Sequence, residues 1–310
     1  MPCLNTARPR PSLFCRLPWT AFLTVLALLG IFAVGGPVRA QIPEPETISI
    51  PVPAYDGYSA ITMQALLYRP EGKGPFATVL FSHGRSGKPE ERAALSRPLP
   101  ANHIKFWLER GVAVLAPIRP GYGPTGGEDR ENSGVRLLSN FDCAGDPNIE
   151  RAARNAGVAV RQALEWLRQQ NFVQKNRILL EGQSVGGMTT IVLAGQNPPG
   201  VIGFINFAGG TAGFPTQRPA RSCATDQLTD LYRKAGQKTR LPNLWLYAEN
   251  DQYWGPDMPR LWHKAFAKGG SRSKFVQTGP VTNADGHFLL TRGQEMWSTP
   301  VRSFLADLNL

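Results

Sequence analysis

One serine in this sequence is placed to do chemistry. It lies in Gly182-Gln183-Ser184-Val185-Gly186-Gly187, between the apolar run Arg177-Ile178-Leu179-Leu180-Glu181 and a small-residue stretch ending near Gly195. The pattern predicts a strand, a sharp turn and a helix. A serine on such a turn has a strained backbone and lifts its Oγ above the sheet edge. Its neighbours must be small because the chain folds close upon itself. The N-terminus of the following helix favours negative charge beside the hydroxyl, as attack on a carbonyl would create. The bare pentapeptide means little in a chain with 32 glycines, but the strand before it, the helix after it and Gly187 make it specific. The alternative is a glycine turn with an inert serine.

A serine hydroxyl needs a base. His287, in Asp285-Gly286-His287-Phe288 after the last predicted strand, has the best position, and the near-neutral pKa of an imidazole suits taking and returning one proton. His83 follows a strand and is expected to shape an oxyanion loop, whereas His103 and His263 fall on predicted helices as surface or packing residues. The imidazole needs a carboxylate to fix its tautomer. Asp251, just past the run Asn243–Ala248, is the first choice; Glu249 and Asp257 are rivals, and Asp285 is too close in sequence to His287. For the oxyanion, the expected donors are the backbone amides of Val185, after the serine, and Arg85, in the turn His83-Gly84-Arg85.

These residues need a scaffold. Strands are predicted at Ile48–Val52, Ile61–Tyr68, Ala77–Phe81, Val112–Ala116, Arg177–Glu181, Val201–Phe207, Asn243–Ala248 and Lys274–Thr278. Helices are predicted over about 101–110, Ile149–Gln170, the stretch after Ser184, Asp257–Lys268 and about 293–308. The helix from Ile149 has the clearest pattern, with Ala152, Ala156, Val160, Ala163 and Leu167 recurring at 3–4 spacing. Strands alternating with helices specify a mostly parallel sheet covered on both faces. Residues 118–146 read as a loop and 209–241 as an irregular insertion within one domain, 41–310; both are expected to wall a substrate pocket.

The first 40 residues read as an export signal. Arg8, Arg10 and Arg16 precede the apolar stretch Trp19–Val34, and Val38-Arg39-Ala40 sets small residues around a cut before Gln41. The alternative is an uncleaved anchor, although the stretch is short for the ~20 residues of a bilayer span. The expected location is periplasmic or secreted, with no membrane span once the signal is removed. Cys3 and Cys15 leave with it. The remaining even pair, Cys143 and Cys223, is expected to form one disulfide in an oxidising compartment, the alternative being two separate buried thiols. The formal charge is +11, and the leader's four arginines without an acid leave +7 for the rest. No basic run or stripe accompanies that charge, which argues against nucleic acid. A hydrophobic fraction of 42% and a charged fraction of 18% exclude wholesale disorder and a polytopic membrane protein.

The His83-Gly84 turn, the Ser184 hexapeptide, the Asp251 edge and Asp285-Gly286-His287, in the chain order serine, acid, histidine, resemble the α/β-hydrolase superfamily, and within it the dienelactone hydrolase-like serine esterases. The resemblance covers about residues 48–308. It implies an α/β-hydrolase fold with an eight-stranded sheet, no cofactor, and acyl transfer to water from a small or oligomeric ester. Dienelactone hydrolase itself is cytoplasmic with a cysteine nucleophile; a serine and an export signal argue against the lactone substrate while leaving hydrolysis in place. Arg119-Pro120-Gly121-Tyr122-Gly123 through Gly126-Gly127 is also similar to the glycine-rich segment of oligopeptidase-type hydrolase domains, the alternative being a plain surface loop. There is no Cys/His zinc spacing and no phosphate-binding Lys-Ser/Thr, so neither a metal nor a nucleotide is expected. The rivals to an esterase are a small serine peptidase, an acyltransferase of the same fold and a catalytically inactive binding protein. The oligomeric state is left open.

Overall fold

The computed structural model describes residues 42–310; the expected signal lies outside the described residues. Eight strands form the central sheet: β1 (Glu46–Val52), β2 (Ile61–Tyr68), β3 (Phe76–Ser82), β4 (Ala113–Ile118), β5 (Val173–Gln183), β6 (Val201–Phe207), β7 (Asn243–Ala248) and β8 (Ser273–Thr278). Their spatial order is β1-β2-β4-β3-β5-β6-β7-β8. β2 is antiparallel to both of its neighbours, and every other adjacent pair of strands is parallel. β1 and β8 are therefore the rims, and β5, which leads to Ser184, is central.

The central strands are apolar on both sides because both sides are covered. Leu80, Ile178 and Leu180 face one core, together with Val160 and Leu164 of α2 (Ile149–Gln169), Ile191 of α3 (Val185–Ala194), Leu228 of α4 (Thr225–Lys238) and Phe266 of α5 (Met258–Ala267). Val79, Phe81 and Leu179 face the other, with Ile104 and Trp107 of α1 (Ala101–Leu108) and Trp297 and Phe304 of α6 (Gln294–Asp307). Adjacent side chains on a strand point to opposite faces, so an unbroken apolar run feeds both cores at once. α2 carries its apolar face as the sequence predicts, and Asn148 caps it by accepting from the Arg151 amide at 2.9 Å.

Two expectations change. The stretch 209–241 is not irregular throughout: it holds a short ribbon, Gly213–Phe214 against Arg218–Ser222, and then α4. Leu228, Leu231, Tyr232 and Ala235 of α4 are buried at helical spacing. Residues 118–146 contain a second small ribbon, Arg136–Leu137 against Cys143–Ala144. His103 is a packing residue, fully buried, with its Nε2 2.8 Å from the Glu181 carboxylate.

Candidate active site

Ser184 occupies the single residue between β5 and α3, at φ 57° and ψ −124°. A non-glycine residue in that region costs on the order of 1–3 kcal/mol and persists only where its surroundings hold it. Here the Ser184 amide donates to the Phe207 carbonyl at 3.0 Å, and the Ser184 carbonyl accepts from the Met188 and Gly210 amides at 3.0 and 3.1 Å. The glycines answer to contacts. A β-carbon on Gly186 would lie 1.9 Å from the Ser82 carbonyl oxygen, one on Gly182 2.3 Å from the Gly186 carbonyl oxygen, and one on Gly187 2.3 Å from Asn206 Oδ1. The Ser184 hydroxyl does not cap α3, so the first amides of that helix keep their donors.

Asp251 lies three residues past β7 and is buried. Its Oδ1 accepts from the Tyr253 and Trp254 amides at 2.8 and 3.1 Å, which turns Oδ2 toward His287, 3.2 Å from Nδ1. The neutral ring thus carries its proton on Nδ1 and presents Nε2 as a base. His287 sits in a one-turn 3-10 helix, Gly286–Phe288, capped by Asp285, whose Oδ1 accepts from the His287 amide at 2.9 Å and the Gln252 amide at 2.8 Å. The rival carboxylates Glu249 and Asp257 are exposed, and neither bonds the ring. Sequence reasoning missed two supports. The Tyr253 ring stacks on the imidazole with centroids 3.9 Å apart. Gln183, next to the nucleophile, donates from Nε2 to the His287 carbonyl at 3.1 Å, tying the base loop to the elbow. Ser184, Asp251 and His287 thus sit after the C-terminal ends of β5, β7 and β8, and all three are buried.

The expected oxyanion loop lies against the elbow. A β-carbon on Gly84 would stand 3.3 Å from Ser184 Cβ and 3.8 Å from its Oγ. Among the described residues, no group accepts a hydrogen bond from the Val185 or Arg85 amide. His83 is held at this turn by both ring nitrogens. Its Nδ1 donates to the Gly84 carbonyl at 2.7 Å, and its Nε2 accepts from the Arg119 amide at 3.1 Å. Burial, and then the charge of Arg119, hold its pKa well below the ordinary histidine value, so the ring is neutral and its two bonds fix one tautomer. The Arg119–Gly127 segment is no plain surface loop, since Arg119, Tyr122 and Thr125 are buried.

Cys143 and Cys223 form a disulfide that ties the 136–144 ribbon to the end of the 213–222 ribbon. The latter backs the acid loop: Ala220 donates to the Gln252 carbonyl at 2.6 Å, and Gly213 packs against Tyr253 and Trp254. Among the described residues, no group of three or more His, Cys, Asp or Glu side chains is arranged to hold a metal ion.

A sequence profile described as an abhydrolase family matches residues 155–213, the segment from α2 through the elbow to the end of β6 and just beyond. No curated protein matches the sequence. Among solved structures, an esterase from Pyrococcus furiosus is similar at 12% identity, with 85% of this chain and 91% of that one covered and a TM-score of 0.57. Est1E from Butyrivibrio proteoclasticus, with ferulic acid bound, gives 16% identity, 84% and 98% coverage and a TM-score of 0.56. An acylaminoacyl peptidase from Pyrococcus horikoshii gives 13% identity and a TM-score of 0.55, covering 87% of this chain but 41% of that one. At these identities the likeness is one of fold. The strand order with β2 reversed and helices on both faces is the α/β-hydrolase fold expected from the sequence.

Proposed function

We propose that this chain, an α/β-hydrolase by fold, is an exported serine hydrolase that cleaves carboxylic esters through an acyl-enzyme. The observation that carries the reading is the Asp251–His287 pair, 3.2 Å apart, with the His287 loop tied by Gln183 to the Ser184 elbow. Ser184 Oγ attacks the ester carbonyl while His287 Nε2 takes its proton. Asp251 Oδ2 keeps the ring in the Nδ1–H form and stabilises the imidazolium. The Val185 and Arg85 amides receive the oxyanion. His287 returns the proton to the leaving alkoxide oxygen as the C–O bond breaks. A water molecule, deprotonated by the same nitrogen, then releases the acid and restores the serine. Likeness to two proteins nearly covered by this chain, one of them an esterase, favours esters. Likeness to part of an acylaminoacyl peptidase keeps amide cleavage as the second reading.

The test uses the purified chain. A fluorophosphonate probe should label it, and labelling should vanish in Ser184→Ala. p-Nitrophenyl esters of graded acyl length should turn over far faster than the matching p-nitroanilides. Absence of labelling in the wild type would remove the enzyme reading in favour of a binding protein, and faster anilides would give the peptidase. Export predicts a mature protein beginning at Gln41; a protein recovered from the periplasm or medium still carrying the leader would count against cleavage.

A further inference from the structure

The Gly84–Arg85 peptide is trans, so its carbonyl and its amide proton point in opposite directions. The carbonyl is engaged within the protein: His83 Nδ1 donates to it at 2.7 Å and Arg119 Nη2 at 3.4 Å. Gly84 itself lies against Ser184, so close that a β-carbon on it would stand 3.3 Å from the serine's. Whatever holds this carbonyl therefore aims the Arg85 amide. Arg119 can do so because it is itself fixed. It is fully buried, donates from Nη1 to Ser82 Oγ at 2.9 Å, and forms a two-pronged ion pair with Glu131, its Nη2 2.9 Å from Oε2. The Tyr122 hydroxyl donates to the same carboxylate oxygen at 3.3 Å. The same segment also takes the Arg85 side chain, which bonds both oxygens of Asp129. Its glycines let it pack so closely: a β-carbon on Gly121 would lie 2.8 Å from the Glu128 carbonyl oxygen, and one on Gly123 1.9 Å from that of Leu95.

We infer that the buried Arg119–Glu131 pair, acting with His83, is a positioning brace that turns the Arg85 amide toward the nucleophile and so preorganises the oxyanion site. The inference rests on the serine hydrolase reading and deepens it. Neither side chain needs to touch substrate. A buried ion pair is a poor source of stability, because desolvation offsets its attraction, and well-packed apolar replacements are often neutral. Its worth here is the orientation of one peptide plane.

Removing one partner would strand a buried charge, so the decisive variant is the double replacement Arg119→Met with Glu131→Leu. On a p-nitrophenyl ester, kcat should fall about 30- to 100-fold with KM within about twofold, somewhat below the loss seen when an oxyanion donor is deleted outright. A trifluoromethyl ketone, which becomes an oxyanion only after the serine adds to it, should lose affinity by the same factor, while a non-reactive ether isostere of the ester should bind as before. His83→Phe, which keeps a ring and removes both hydrogen bonds, should repeat the pattern and serves if the double variant does not fold. Arg119→Lys, which can still pair with Glu131, should recover part of kcat. A folded double variant or His83→Phe with kcat and ketone affinity within about threefold of wild type would overturn the brace, as would a loss confined to KM. A wild type that neither hydrolyses esters nor takes the fluorophosphonate label would overturn the hydrolase reading itself, a separate outcome.

Discussion

Gly84 and Ser184 face one another so closely that a β-carbon on the first would stand 3.3 Å from that of the second. That spacing is tighter than most side-chain contacts, and the neighbour it would press is the strained elbow. Gly84→Ala should therefore lower kcat about tenfold or more, with melting changed little, since small displacements at reacting atoms cost rate before they cost fold. Steady-state ester kinetics beside thermal melting check it; unchanged kcat would mean that the loop yields freely.

Asp251 spends one carboxylate oxygen on two backbone amides and the other on the imidazole. Asp251→Asn keeps the shape and an acceptor for the amides, but its NH2 group cannot accept the Nδ1 proton. The ring then loses the tautomer that leaves Nε2 free. A drop of about three to four orders of magnitude in kcat is expected, with the fold retained. Hydrolysis within tenfold of wild type would point to a different carboxylate.

The Cys143–Cys223 bridge spans 80 residues of sequence. In the chain-entropy view such a closure stabilises by about 4–5 kcal/mol, as an upper figure. Replacing both cysteines by serine should lower the urea midpoint accordingly, and intact-mass measurement should show two hydrogens gained on reduction of the wild type. An unchanged midpoint would mean that the ribbons hold one another without the bond.

His263 lies on α5 with Nε2 2.8 Å from Ser273 Oγ, and partial burial pushes its pKa from 6.5 down to about 4. The unfolded chain takes up this proton as pH falls through 6.5, while the folded chain resists until about 4. Between those values the unfolded state binds more protons, so stability falls on acidification across that window and owes nothing to the group above it. His263→Gln should remove this slope: the melting advantage of wild type over the variant should shrink from pH 7 to pH 4. A constant difference would refute the shift.

Much of the scaffold was legible because its strands are unbroken apolar runs between turn residues. Ile61–Tyr68, Val201–Phe207 and Asn243–Ala248 begin and end where the sequence places them. β5 starts earlier than expected, at Val173, since Gln174, Lys175 and Asn176 lie at its polar end and carry no hydrophobic signal. α4 was missed although Leu228, Leu231, Tyr232 and Ala235 have helical spacing; the irregular residues ahead of it masked the period. Of the candidate site, Ser184, Asp251 and His287 could be proposed from the sequence because each follows a strand. The Gln183–His287 bond, the Tyr253 stack and the Arg119–Glu131 pair were not, because they depend on which loops meet in space, and neither period nor spacing encodes that.

Among the described residues, β1 and β8 form the two rims of the sheet. β1 carries Pro51, which has no amide proton to offer an incoming strand, and β8 carries Lys274, whose ammonium reaches Asp307 of α6 at 2.5 Å. A foreign strand laid along the first rim would forfeit a ladder bond, and one laid along the second would have to pass a tethered cation. Fibril-like growth by edge addition is disfavoured at both ends.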